Sequence, residues 1–336
     1  MTRKINVLAL SGGGYRGLFT AQVLAEIERA TKRPITDHFD LITGTSIGGI
    51  IALAIADGHR PAELVEIFKE KGPIIFPKPK RWPIPLLKDL PATLWSLKAL
   101  NRSLYDGKGL KSVLDELFGD KQLQDLKEAF VMVPAARAST GKPKFFKTPH
   151  SDEFYADLEI PVVDAALATS AAPVYFPMHN VAYDSTRYLD GGLVGNAPGM
   201  FGYIEAITRL GAKPEDVNVL SVGTLSGKPC VSENTSRRPW LPYWLNPIKP
   251  RLLELIFSVQ EHQTHNMLSI LLKDRYCIID TTVSQESAND IDLDNTSQAA
   301  QAALLSRANE EAALFTNTSF FKNIISYQEG SNDQPQ

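Results

Sequence analysis

Three glycine-bearing turns hold the side chains with chemistry to offer. Residues 12–17 read Gly-Gly-Gly-Tyr-Arg-Gly, residues 44–48 read Gly-Thr-Ser-Ile-Gly, and residues 190–192 read Asp-Gly-Gly. A serine flanked by glycines, between an apolar strand and an apolar helix, fits a sharp turn that pushes its hydroxyl out of the fold. Gly44 and Gly48 would permit that turn, and Ser46 is the candidate nucleophile. The following helix would aim its N-terminal N–H groups at the same spot. Taken alone, this motif is equally well explained as a glycine turn with an N-capping serine.

The first run supplies what a nucleophile lacks. Acyl transfer builds charge on a carbonyl oxygen, and removing one donor aimed there typically costs about 10²–10³ in rate. Consecutive glycines at a helix start expose their N–H groups with no Cβ in the way. Gly13 and Gly14 are the candidate oxyanion donors, with Gly12 in the same turn. Arg16 either adds positive charge beside them or braces the loop.

A base is also needed. Of the six histidines, only His262 and His265 suit a Ser, Asp, His chain order. Both fall in a predicted helix over 252–272, where surface exposure or helix packing is the plainer role. Asp190 instead ends a short strand before Gly191 and Gly192, which let another segment approach closely. A carboxylate touching the serine could take its proton directly. At an ordinary pKa of about 3.9 an aspartate is a weak base, and burial would raise it. Asp-Gly-Gly is also a common plain turn.

Gly12, Gly14 and Gly17 match a second pattern, the G-x-G-x-x-G of dinucleotide binding. That motif wants an acid at the end of the next strand to hold a ribose. Here Asp40 stands near the start of that strand, which ends in Gly-Thr-Ser. A Rossmann-type oxidoreductase, or a nucleotide-sensing module without hydrolase activity, is therefore the second reading. No Gly-Lys-Ser/Thr follows the glycines, which excludes a Walker loop at these sites.

The elements that must position these turns are legible as runs. Residues 5–10, 39–43 and 217–222 are short apolar strands, and 129–136, 144–148 and 187–189 are further strands. Residues 18–30, 47–56, 110–118, 162–168, 200–210, 252–272 and 296–316 read as helices. Strand, glycine turn and helix in repetition predict an α/β fold with a mainly parallel sheet covered by helices on both faces. One domain is expected over residues 1–330, with the motifs in 7–199, a helical part over 200–326 packed on it, and a disordered tail at 328–336.

Composition bounds the partners. The 336 residues are 43% hydrophobic and 22% charged, with 35 Lys and Arg against 38 Asp and Glu, a net charge of −3. There is no global basic field for a nucleic acid polymer. Two cysteines, Cys230 and Cys277, make no disulfide framework or zinc site, and a reducing cytosol is expected. No run approaches the roughly 20 apolar residues of a membrane span.

The three motifs in this order, joined by Tyr105-Asp106-Gly107-Lys108-Gly109-Leu110 and by the 171–177 run Ala-Ala-Pro-Val-Tyr-Phe-Pro, resemble the patatin-like phospholipase family over about residues 7–199. The resemblance implies the three-layer patatin-like fold and hydrolysis of lipid acyl esters by a Ser–Asp dyad. It makes Ser46 the nucleophile, Asp190 the base and Gly13 and Gly14 the oxyanion donors, and it implies no metal and no organic cofactor. The family often carries Asp before its first glycine triplet where this chain has Ser11, a position outside the dyad. The whole-chain pattern is similar to bacterial phospholipases of the CapV type, antiphage effectors that a cyclic dinucleotide switches on to degrade membrane. That likeness implies a cyclic dinucleotide activator and a cytoplasmic enzyme that works at the inner face of the membrane.

Two Pro- and Trp-rich stretches complete the picture. Ile74, Ile75, Phe76 and Trp82 with Lys78, Lys80 and Arg81, and Arg237, Arg238 and Trp240 with Tyr243 and Trp244, combine apolar wedges with cations. Such residues suit a phospholipid bilayer surface as a lid or docking rim, or else they cap the sheet. Residues 72–98 as a whole are expected to be irregular. Leu252, Leu255, Ile256, Val259 and Gln263 share a helical face, expected to be core or the contact of a homodimer.

Overall fold

The computed structural model describes residues 4–77, 103–151, 153–154, 156–225, 244, 251–281 and 291–329. Among them, eight strands form one sheet. Its parallel heart consists of β1 (Ile5–Leu10), β2 (Leu41–Gly44), β3 (Phe130–Arg137), β7 (Val217–Val222) and β8 (Tyr276–Ile279). These lie in the order β3-β2-β1-β7-β8. Three strands pair antiparallel at one side: β4 (Pro143–Lys147), β5 (His179–Val181) and β6 (Thr186–Leu189).

β1 is buried along its whole length, as expected of a strand covered on both faces. Its side chains alternate between two cores. Leu8 and Leu10 join one apolar cluster, with Ile42, Val131, Val133, Leu220 and Val222. Ile5, Val7 and Ala9 join the other, with Leu41, Met132, Val217 and Val219. The period of two along each strand thus fills both layers at once.

The first core is closed by α1 (Gly17–Thr31), α2 (Ile47–Ala56), α3 (Pro61–Ile75), α4 (Lys108–Phe118) and α5 (Val162–Thr169). After the very short α6 (Gly192–Gly195) come α7 (Gly199–Thr208) and α8 (Arg251–Leu272), which cover the second. α9 (Gln298–Thr316) packs on α1, burying Ala300, Leu304, Ala308, Ala312 and Phe315. That stripe repeats every three or four residues, and its alanines let two helices approach closely. α10 (Ser319–Glu329) follows.

Register decides where the turns go. Leu10 pairs with Gly44 and with Val222, and Val222 pairs with Ile279. The chain therefore leaves four neighbouring parallel strands along one edge, which gathers residues 11–16, 45–46, 223–225 and 280–281. Ligands in open parallel sheets bind at that edge.

Some expectations are corrected. Residues 72–75 are helical, as the last turn of α3, although Pro73 lies inside it. Proline removes one N–H there, and the Phe76 N–H closes the turn on the Gly72 carbonyl. Ile74 is exposed, whereas Phe76 is buried and Ile75 packs on the first core, so this pair serves as cap rather than wedge. Trp82, Lys78, Lys80, Arg81, Arg237, Arg238, Trp240 and Tyr243 lie outside the described residues, as does the tail from 330. The face of α8 is not core for this chain: Leu252, Ile256 and Val259 are 41%, 40% and 57% exposed. The helix turns its Glu261, Leu268 and Leu272 edge inward instead. α10 and β8 were not read from the sequence; β8 is a four-residue edge strand that carries Cys277, with little periodicity to detect.

Candidate active site

Ser46 sits between β2 and α2 with φ 54° and ψ −123°. A non-glycine residue there is strained, at about 1–3 kcal/mol, and such strain persists only where the surroundings enforce it. Here they do so closely. The Thr45 N–H donates to the Leu10 carbonyl at 3.0 Å, and the Thr45 hydroxyl to the Gly195 carbonyl at 2.8 Å. A Cβ on Gly44 would strike the Gly48 carbonyl, and one on Gly48 would strike the Leu10 carbonyl. Gly48→Ala should destabilise the fold by about 1–3 kcal/mol; an unchanged denaturant midpoint would show that the elbow is looser than its contacts imply.

The Ser46 hydroxyl does not cap α2. It donates to Asp190 Oδ2 at 2.8 Å, across 144 residues of chain. Asp190 is 1% exposed, and its other oxygen accepts the Gly192 N–H at 2.6 Å. Burial pushes its pKa up to about 7, against the opposing pull of the Gly192 N–H and the Ser46 hydroxyl. Asp190 follows β6, and its own N–H donates to the Ala171 carbonyl at 3.0 Å.

Thr169, at the end of α5, ties the two turns together. Its hydroxyl accepts the Ser46 N–H at 3.1 Å, and its carbonyl accepts the Gly191 N–H at 2.9 Å. Sequence reasoning missed this residue, since a threonine closing an apolar helix carries no motif.

The glycine run follows β1. Gly12 donates to the Asn196 carbonyl at 3.1 Å, and its own carbonyl accepts the Thr224 hydroxyl at 3.0 Å. Gly14 has φ 57°, a left-handed conformation that favours glycine. No acceptor for the Gly13 or Gly14 N–H is found among the described residues. Arg16 braces the loop: Nε donates to the Gly13 carbonyl at 3.4 Å and Nη1 to the Leu225 carbonyl at 3.3 Å.

Gly12, Gly13, Gly14, Ser46 and Asp190 open onto one cavity of about 240 Å³. Its other walls are largely apolar, with Ile47, Ile50, Phe68, Phe76, Phe176 and Phe257 among them. Val174, in the 171–177 run that supplies Phe176, has φ 75°, an outlier for a β-branched residue. Hydrogen bonds from the Leu104 and Tyr105 N–H groups to the Val174 and Tyr175 carbonyls hold that turn.

Among the described residues no histidine lines this cavity. His262 bonds the Ser258 carbonyl, and His265 bonds the Tyr276 hydroxyl at 2.6 Å. Burial lowers the His265 pKa to about 4. The chemistry open to the arrangement is direct proton transfer from an activated serine to a buried carboxylate. Developing negative charge could be met by two main-chain N–H groups, beside an apolar space for a hydrocarbon chain.

A family model for patatin-like phospholipase matches residues 8–200. A protein named cGAMP-activated phospholipase from Pseudomonas aeruginosa is 41% identical over 96% of this chain and 92% of its own length. Proteins of the same name from Escherichia coli and Vibrio cholerae are 38% and 35% identical, over 96% and 93% of this chain and 93% and 91% of theirs. The chain belongs to the patatin-like phospholipase family. The dinucleotide-binding alternative is not supported: β2 ends in Gly44 with no acid there, and the glycine run faces Ser46.

Proposed function

We propose that this chain hydrolyses acyl esters of membrane phospholipids with Ser46 as nucleophile and Asp190 as general base. The observation that carries this reading is the 2.8 Å hydrogen bond from the Ser46 hydroxyl to a buried carboxylate at a strained turn. In the first half-reaction Ser46 Oγ attacks the acyl carbonyl carbon as its proton passes to Asp190 Oδ2. The carbonyl oxygen takes the negative charge and accepts from the Gly13 and Gly14 N–H groups. Collapse of that intermediate breaks the ester bond, and the departing alcohol takes the proton from Asp190. Water then attacks the acyl-serine, giving one proton to the same carboxylate; the acyl–Oγ bond breaks, Asp190 returns that proton to Ser46 Oγ, and a fatty acid is released. Arg16 supports the loop through its two carbonyl contacts rather than meeting the charge itself.

Activation by a cyclic dinucleotide rests on the relatives named cGAMP-activated phospholipase, which share nearly the whole chain length. The substrate is drawn from a bilayer surface at the inner face of the membrane; among the described residues no helix is long and apolar enough to cross it. The exposed residues Leu252, Ile256 and Val259 are the candidate homodimer contact.

The test is fatty-acid release from mixed phospholipid vesicles, with and without a panel of cyclic dinucleotides. One member should raise the rate by about 5- to 150-fold, the usual span of a coupling between two sites. Release that ignores every member removes the activator and leaves the hydrolase; no release under any condition removes both.

A further inference from the structure

The family match ends at residue 200, yet the glycine cradle is held in part from beyond it. Asn196 bonds Gly12 twice: its carbonyl accepts the Gly12 N–H at 3.1 Å, and its Nδ2 donates to the Gly12 carbonyl at 3.4 Å. The same Nδ2 donates to Glu261 Oε1 at 2.7 Å. Asn196 and Glu261 are each 5% exposed, so this is a short hydrogen bond buried from solvent. Glu261 comes from the middle of α8, 65 residues further along the chain. It also borders the cavity that holds Ser46.

A carboxamide left to itself can rotate about two side-chain bonds. One that donates to a fixed, buried acceptor cannot do so without breaking that hydrogen bond. We propose that Glu261 is a positioning residue for the oxyanion loop, acting through Asn196 to fix Gly12 and with it the Gly13 and Gly14 N–H groups. The inference rests on the hydrolase reading above. It assigns α8 a part in the chemistry besides its packing on the sheet. Two rival roles are open to Glu261: direct contact with substrate, since it borders the cavity, and simple anchoring of α8.

Three substitutions in the full chain separate these roles, with kcat and KM read on a short-chain p-nitrophenyl ester and folding read by thermal unfolding. Glu261→Met keeps the volume and removes the acceptor. Its kcat should fall about 10- to 100-fold, since displacement of a catalytic group by about 1 Å costs on the order of 10² in rate, while KM stays within about twofold. Glu261→Gln keeps an oxygen acceptor for Asn196 and should recover most of the rate. Asn196→Ser tests the link from its other end, with a similar loss of kcat.

An unchanged kcat in folded Glu261→Met overturns the proposal. So does an effect confined to KM, which would place Glu261 on the substrate, or a Gln variant as slow as the Met variant. If Glu261→Met does not fold, a wild-type kcat in folded Asn196→Ser overturns it independently. A wild type that hydrolyses no ester at all sinks the hydrolase reading instead.

Discussion

Ser46→Ala and Asp190→Ala should each lower ester hydrolysis by about 10⁴-fold or more, while the chain remains folded. Losing a nucleophile or its base in a serine hydrolase has effects of this size. The two losses should not add, because the hydroxyl and the carboxylate form one unit joined at 2.8 Å. Reaction of Ser46 with a fluorophosphonate separates their parts. Labelling should vanish in Ser46→Ala and slow strongly in Asp190→Ala, since the serine then keeps its proton. Normal labelling of the aspartate variant would take Asp190 out of the mechanism. Normal turnover by the serine variant would end the dyad reading altogether.

The second large effect is on pH. Burial holds the Asp190 pKa near about 7, and a general base must be ionised to act. From pH 5 to pH 8, kcat/KM should therefore climb by about 100-fold, with a slope of one below pH 7 and a plateau above about pH 8. A flat profile across that range would contradict a buried base.

The same shift fixes the sign of a stability effect. The ordinary aspartate value is 3.8, so between about pH 4 and pH 7 the folded chain keeps a proton that the unfolded chain has lost. Stability is full below that window and falls as pH rises through it. Asp280, also pushed up to about 7 by burial, adds to the slope. Asp190→Asn should remove its share and stabilise the fold at pH 8, on the order of 4 kcal/mol from the size of the shift. Activity should be lost in the same variant. Denaturant midpoints at pH 5 and pH 8 measure the difference, and equal midpoints for the variant and wild type at pH 8 would show that the carboxylate is not held at such expense.

Much of the frame was present in local patterns. Residues 47–56 and 217–222 form the helix and strand expected of them, because a continuous apolar run bounded by turn residues has few other ways to hide. Most other boundaries moved by one or two residues, where helix ends and strand edges are set by packing. α3 is absent from the expected helices: residues 61–71 carry no expected element and 72–75 fall in the Pro-rich stretch expected to be irregular, whereas the buried Phe76 and the bond to Gly72 hold its last turn in place. On α8 the exposed stripe removes the core alternative and leaves the homodimer contact as a proposal. Apolar spacing names a stripe but not the direction in which the helix rolls, and Glu261 lies on the edge that turned inward.

For the site, the chain order of Gly12–Gly14, Ser46 and Asp190 marked residues that the structure brings onto one cavity, because each needs glycine neighbours for a local backbone reason that sequence records. Their meeting is a matter of register. Leu10 opposite Gly44 sets the cradle beside the elbow, and β6, running antiparallel to β3, delivers Asp190 from the other direction. Thr169, Asn196 and Glu261 act through single hydrogen bonds across tens of residues, which leave no periodicity and no motif. Local sequence thus determined the kinds of groups and the turns able to present them. Only the packed sheet decided which of them touch, how dry the carboxylate is, and therefore the pH at which it can accept a proton.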